Sequence, residues 1–308
     1  MSAVPHLPRT LHVLERGWLS SNNVVFIDDD EASVVDTGYC VHAEQTAQLI
    51  DRVRAGRALT RIINTHLHSD HVGGNARLRA QHAATISIPP GLAAAVEAWD
   101  VDALTYTPTG QLCPRFTYDA VIRAGESMRL GGLDWEVLAA PGHDPHMVML
   151  FNDDERLLIS ADALWENGFG AIFPEIEGES GFDEQRGALE LIARRGPRTV
   201  IPGHGAPFTE VSAALDRAHE RLEALATSPE RNARHVLKVL AKFWLLQERD
   251  ATRDAARYHF AATRYFQVIY RRYFADQSFA GMIDRTFDEL ASAGVAGFDG
   301  QRIWNRDR

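Results

Sequence analysis

The segment Thr65-His66-Leu67-His68-Ser69-Asp70-His71 places four side chains able to ligate a metal within six residues. It follows the apolar run Arg61-Ile62-Ile63-Asn64 and precedes Gly73-Gly74. Imidazole and carboxylate together suit zinc, iron or manganese, and so dense a packing of both rarely arises by chance. A chain carrying such a segment must fold so that it is held rigid, close to other ligands and open to a substrate. The chemistry that follows is attack on an electrophile by a metal-activated water.

The rest of the chain supplies partners for this segment. Residues 24–27 and 32–35 read as strands, the second closing at Asp36-Thr37-Gly38, and residues 43–54 read as an amphipathic helix. Residues 61–64 form a buried strand that delivers the histidine-rich turn, and residues 71–80 follow as a helix. A strand at 85–88 stops at Pro89-Pro90. Residues 99–118, irregular and rich in aromatics and proline, read as a long surface loop of the kind that covers active sites. Strands at 133–139, 156–159 and 199–201 end at Pro141-Gly142-His143, Ser160-Ala161-Asp162 and Pro202-Gly203-His204-Gly205. Four strand ends thus carry His66, His68, Asp70 and His71, then His143, then Asp162, then His204. Neighbouring strand ends converge in space, so these ligands can meet.

His66 and His68, two apart in an extended segment, can grip one ion from the same side. His143 would complete that site. Asp70 and His71 lie further round the turn, where a second ion completed by His204 could sit, with Asp162 bridging both. Asp70 and Asp162 are the candidate catalytic carboxylates. Two ions about 3.5–4 Å apart can share a hydroxide and clamp the attacked and leaving oxygens. Taking the pKa of water from about 15.7 to about 7 corresponds to roughly 12 kcal/mol in acidity, so no serine or cysteine nucleophile is needed.

These elements resemble the metallo-β-lactamase-fold hydrolase superfamily. The shared features are the Val34-Val35-Asp36-Thr37-Gly38 turn, the His66-Leu67-His68-Ser69-Asp70-His71 signature, and the turns ending in His143, Asp162 and His204. They occur in the family's order over about residues 20–210. The resemblance implies an α/β fold, a four-layer αββα sandwich with two divalent metal ions at one edge, zinc first, with iron or manganese also suited. It assigns His66, His68 and His143 to the first ion, Asp70, His71 and His204 to the second, Asp162 to the bridge and Asp36 to support behind the ligands. The chain departs from the pattern in one place. Many relatives read Pro-Gly-His-Ser/Thr-Pro-Gly-His, whereas Pro141-Gly142-His143-Asp144-Pro145-His146 brings its second histidine one place early, which touches a supporting contact and not a ligand.

Trp165, Phe169 and Phe173 follow the bridging aspartate and are candidates for an apolar substrate wall, with core packing as the alternative. Tyr106, Arg115 and Phe116 in the long loop are weaker candidates for the same wall. The other histidines (His6, His12, His42, His82, His146, His219, His235 and His259) read as ordinary surface or core residues.

Beyond residue 212 the pattern turns helical, with a stripe of Leu215, Ala218, Leu222 and Leu225 and further helices at 232–247 and 255–274. The expected division is a catalytic domain over residues 1–228 and a small, mainly helical accessory region over 229–308, whose last helix and wing suggest a winged-helix-like unit. Its aromatics at helical spacing read as core or as a homodimer interface. Residues 230–308 carry 14 Lys and Arg against 10 Asp and Glu, while the rest carries 18 against 32. The net charge of −10 argues against a general nucleic-acid binder, and the partner expected of the metal site is a small-molecule substrate. No apolar run spans a bilayer and no export signal is visible at the amino terminus. Cys40 and Cys113 read as free thiols, and the cytoplasm is the expected compartment.

The function expected is hydrolysis of an ester, thioester or lactone by a metal-bridging hydroxide. The alternatives are a metal-dependent ribonuclease or phosphodiesterase and a mononuclear iron enzyme like persulfide dioxygenases.

Overall fold

The computed structural model describes residues 5–17 and 19–306. Residues 1–4, part of the amino terminus read above for an export signal, lie outside this range. The first half of the chain builds one sheet. Strands β1 (Leu11–Leu14), β2 (Asn23–Ile27) and β3 (Glu31–Val35) run antiparallel. Helix α1 (Ala43–Arg54) then crosses over to β4 (Ala58–Ile63). Two short helices, α2 (Ser69–Val72) and α3 (Asn75–His82), lead to β5 (Thr85–Ile88). Helices α4 (Ala93–Ala98) and α5 (Tyr106–Thr109) precede β6 (Ala120–Val121), and β3 to β6 pair in parallel in the order β1-β2-β3-β4-β5-β6.

The second sheet comprises β7 (Ser127–Leu130), β8 (Leu133–Ala139), β9 (Val148–Asn152) and β10 (Leu157–Ala161). After helices α6 (Pro174–Glu177) and α7 (Phe182–Arg195) it is completed by β11 (Thr199–Pro202), in the order β11-β10-β9-β8-β7. Helix α8 (Val211–Ala226) follows.

Alternation along the strands makes four layers of this. Val24, Phe26, Val35 and Ile63 of the first sheet meet Trp135, Val137, Leu150 and Ile159 of the second in one buried cluster between the sheets. Their sequence neighbours point the other way. Val25, Val34, Ile62 and Ile86 pack beneath Ala47, Ile50 and Leu78 of α1 and α3. Met149, Phe151, Leu158 and Val200 pack beneath Leu189, Ile192, Ala218 and Leu222 of α7 and α8. With a side-chain period of two, each strand feeds two cores, which gives the αββα sandwich expected from sequence. Phe26 and Trp135 meet edge to face across the sheets at 5.4 Å, a geometry that adds about 0.5–1.5 kcal/mol to area burial.

The remaining chain is mainly helical: α9 (Pro229–Glu248), α10 (Arg253–Ala262), α11 (Arg264–Tyr273) and α12 (Phe279–Ser292). Strand β12 (Asp250–Thr252) pairs antiparallel with β14 (Arg302–Asn305), which also pairs with β13 (Ala296–Phe298). These helices share a core with Ala171 and Ile176 of the sandwich part, so the C-terminal region packs over one end of it. Phe260, Tyr265, Phe266 and Phe274 are buried in that core, whereas Tyr258 stands exposed.

Several expectations need correction. The single helix at 71–80 is two, because Gly73 and Gly74 approach the backbone of Cys40 and Thr37 so closely that a Cβ at either would stand within 2.5 Å of it. The helix at 255–274 breaks at Thr263, whose backbone is extended (φ −89°, ψ 118°). The Thr263 hydroxyl caps the first segment by donating to the His259 carbonyl, and the turn lets Phe260 stack on Phe266 at 3.9 Å. The segment at 99–118 is not irregular throughout: it carries the short helix α5, and Leu104, Tyr106 and Phe116 are buried in the core of the first sheet, while Asp102, Leu112 and Arg115 stay exposed and Thr105, Thr109 and Gln111 line a cavity at the site, as a covering loop would. Strands β1, β7 and β9 and helix α7 had no counterpart in the sequence reading.

Candidate metal centre and its cavity

The candidate ligands gather at the ends of β3, β4, β8, β10 and β11, on one edge of the sandwich. Asp36 is the knot that fixes two of these strand ends. It leaves β3 in the left-handed region (φ 58°), which aspartate tolerates better than most residues. Its Oδ1 accepts from the Thr65 amide at 2.9 Å, and its Oδ2 accepts from the Thr65 hydroxyl at 2.7 Å and from His71 Nδ1 at 2.8 Å. The turn after β4 is therefore tied to the end of β3, and the His71 ring is locked with Nε2 facing inward.

Two groups of donors result. In the first, His66 Nε2 lies 3.1 Å from His68 Nδ1, which lies 2.8 Å from His143 Nε2. His143 Nδ1 donates to the Ala171 carbonyl at 2.6 Å, so its Nε2 offers a lone pair to the group. In the second, His204 Nε2 is 3.1 Å from Asp70 Oδ2, and His71 Nε2 is 3.9 Å from the same oxygen. Asp162 stands between the groups, 3.4 Å from His143, 3.5 Å from His71 and 3.8 Å from His204. The ligand atoms of His66, His68 and His143, those of Asp70, His71 and His204, and those of His66, His71 and Asp162 each lie within 4.8 Å of one another. Trp165 Nε1 donates to Asp162 Oδ1 at 3.2 Å and orients the carboxylate.

The donor chemistry fits metal ions. Buried lone pairs converge at 2.8–3.1 Å with few protons between them, and the buried Nε2 of His71 makes no hydrogen bond. Burial and the neighbouring rings of His71, His68 and His143 hold His66 well below the usual imidazole range. Burial lowers His68 to about 4, and burial together with His68 lowers His143 to about 4. These three rings are neutral and ready to ligate near pH 7. Burial opposes a charge on His71, but Asp36, Asp162 and Asp70 outweigh it and raise its pKa well above the ordinary value. Burial also opposes ionisation of Asp70 and Asp162. The surrounding histidines win in both cases, His71 and His204 chiefly, and keep both carboxyls below their usual range. A pocket with this much buried negative charge attracts a cation, and a bound ion would displace the proton that the carboxylates draw onto His71.

Above the donors lies a cavity of about 320 Å³, the size of a small-molecule site. Trp165 and Phe173 line it, as sequence suggested. Phe169 does not: it is fully buried in the core beneath α8. Tyr106 is also buried, and its hydroxyl donates to the Leu67 carbonyl at 2.9 Å, so it braces the His66–His68 turn from behind. Phe116 is core and Arg115 is exposed. Val239 and Phe243 of α9 supply further apolar wall, and Arg221 and His235 supply polar wall. None of these four was visible in the sequence as a site residue, because they reach the cavity only through the packing of α8 and α9 over it. The displaced motif histidine, His146, lies against Gly91, and Asp144 is the residue beside the ligands, 3.8 Å from His68 Nε2. Burial raises the Asp144 pKa.

Residues 16–204 match the family model of the metallo-β-lactamase superfamily, and the chain belongs to that superfamily. It is 30% identical over 155 residues to a hydroxyacylglutathione hydrolase from Nitrobacter winogradskyi, covering 50% of this chain and 52% of the relative. A hydroxyacylglutathione hydrolase from Haemophilus influenzae is 26% identical over 200 residues, covering 61% of this chain and 86% of that one. The chain spans about half the length of the first of these relatives. A metallo-β-lactamase family protein from Thermus thermophilus superposes with a TM-score of 0.57 at 20% identity, covering 98% of this chain and all of that one, so the likeness of fold extends through the C-terminal region. Among the described residues no helix is long and apolar enough to cross a membrane.

Proposed function

We propose that this chain is a dinuclear metal-dependent hydrolase of small esters or lactones and, above all, thioesters. The observation that carries the reading is the pair of buried donor groups joined at Asp162 beneath an apolar-walled cavity. His66, His68 and His143 would hold one ion, Asp70, His71 and His204 the other, and Asp162 both, with zinc the best match to the donors and iron or manganese also suited. When bound, the ions would acidify water and polarise a carbonyl. The protein's own part is positional. Asp36 and the Ala171 carbonyl fix the tautomers of His71 and His143, Trp165 aims Asp162, and Phe173, Val239 and Phe243 shield the scissile group from bulk water. Asp70 and Asp162, the carboxylates taken as catalytic, are held ionised and so are ready to ligate.

The relatives named as hydroxyacylglutathione hydrolases support a thioester as the bond cut. A second complete donor group favours this reading over a one-iron oxygenase. We also read residues 229–308 as a winged-helix-like accessory unit whose task is to wall the cavity, with the preceding 228 residues as the catalytic part. The free thiols of Cys40 and Cys113 suit a reducing compartment such as the cytoplasm.

The test is hydrolysis of a panel of esters, thioesters and lactones by metal-loaded protein, with metal content measured alongside. His68→Ala and Asp162→Ala should abolish turnover of whichever substrate is cut. Cleavage of RNA with no hydrolysis across the panel would replace the proposal with a phosphodiesterase, and one iron per chain with oxygen consumption would replace it with an oxygenase.

A further inference from the structure

One wall of the cavity has no task in this chemistry. Arg221 of α8 and His235 of α9 both line it. Arg221 Nη2 donates to His235 Nε2 at 2.7 Å, and the guanidinium carbon lies 5.1 Å from the centroid of the Phe169 ring. The chain passes the guanidinium at Gly168 (φ 126°), where a Cβ would stand 2.6 Å from Nη1. The arginine is therefore held on three sides by a ring face, an imidazole and a glycine that leaves room for it.

What it does not have is a counter-ion. Among the described residues no carboxylate pairs with Arg221, and burial alone acts on it, lowering its pKa. The acidic residues of the cavity wall are Asp70 and Asp162, and both belong to the donor groups. His235 supplies a hydrogen bond but no negative charge. Burial, Arg221 and Lys238 hold it down to about 3, so it is neutral near pH 7 and can accept from the guanidinium. Arg217, one turn earlier on α8, points elsewhere and places its Nε and Nη2 donors on the Glu166 carbonyl. A guanidinium partly withdrawn from water without a counter-charge carries a desolvation cost that an arriving anion relieves.

We propose that Arg221, oriented by His235 and by the Phe169 ring, binds a carboxylate of the substrate and makes the site selective for acidic acyl compounds. The ligand has an apolar body lying along Trp165, Phe173 and Phe243 and a carboxylate at its far end. The proposal takes from the functional reading only which bond is cut; the anion site itself stands on the cavity.

Calorimetric titration tests it with 5-phenylpentanoate and 5-phenylpentanamide, which share an apolar body, differ in charge and contain no ester or thioester. Metal-loaded wild-type protein should bind the carboxylate about tenfold or more tightly than the amide, the scale of a charge-assisted hydrogen bond. Arg221→Gln should bring the ratio close to one. Arg221→Lys, which keeps the charge and loses the planar fork, should give an intermediate ratio, and it carries the test alone if the glutamine variant does not fold. A wild-type ratio of one, no binding of either compound, or a preference that survives in Arg221→Gln would overturn the proposal; the last would place the carboxylate at the metal ligands. Turnover of ester and thioester substrates, followed separately, reports on the hydrolase reading, so the two can fail independently.

Discussion

Asp36→Asn is the most discriminating single change at this site. The carboxylate accepts three hydrogen bonds, two of them on Oδ2, and one of those fixes the proton of His71 on Nδ1. In the asparagine variant Oδ1 still accepts from the Thr65 amide, but an NH2 replaces Oδ2. The Thr65 hydroxyl can rotate to accept from it. The imidazole can do so only by moving its proton to Nε2, the atom that faces Asp162 at 3.5 Å, and a protonated Nε2 cannot ligate. The backbone is not the issue, because asparagine tolerates a φ of 58° as aspartate does. Losing a partner behind a ligating histidine costs about 10–100-fold in metal affinity, or about 1.4–2.7 kcal/mol. Loss of the charge-assisted bonds should also lower folding stability by about 1.5–3 kcal/mol. The assay is titration of chelated protein with zinc, with His68→Ala identifying the step that belongs to the first group. The expected result is a weakened second step and an unchanged first. Two unchanged steps, or weakening confined to the step lost in His68→Ala, would refute the argument.

Two further outcomes follow from the same structure. Gly142→Ala should cost about 2–4 kcal/mol in urea unfolding, because its Cβ would lie 2.8 Å from the Gln185 Cα at a φ of 141°; a variant as stable as wild type would show that the His143 turn yields easily. His235 gives a pH dependence. Its folded pKa of about 3 lies below the unfolded value of about 6.5, so the unfolded chain binds the extra proton and stability falls as pH drops from 6.5 towards 3. At pH 4.5 this amounts to about 1–3 kcal/mol, and His235→Gln should regain that much on wild type between pH 7 and pH 4.5; parallel stability curves would contradict it.

Much of the site was legible because its residues sit at strand ends with local signatures. His66 to His71 lie on one short turn, and Asp162 and His204 each follow an apolar strand that a sequence can show. Val148–Asn152, buried on both faces, carries no alternation to mark it as a strand, and unlike the equally buried Leu157–Ala161 and Thr199–Pro202 it leads into no ligand-bearing turn. The break at Thr263 was missed because no glycine or proline marks it; the stacking of Phe260 on Phe266 that rewards it is a tertiary contact.

The candidate donors and their order were written in the chain, since ligand spacing is a local property, and the sandwich beneath them was expected from the resemblance those motifs carry. The cavity was not, and it took shape only when the helices packed. Docking of α8 and α9 buried Phe169 and brought Arg221 and His235 from two helices into one contact on the cavity wall above the candidate donors, while Tyr106 turned into the core of the first sheet and the turn after β8 set Asp144 beside His68. Helix packing is set by whole faces, whose apolar stripes say that they are buried but not against what. A side chain beside such a stripe is therefore assigned to solvent or cavity only when its neighbour has docked.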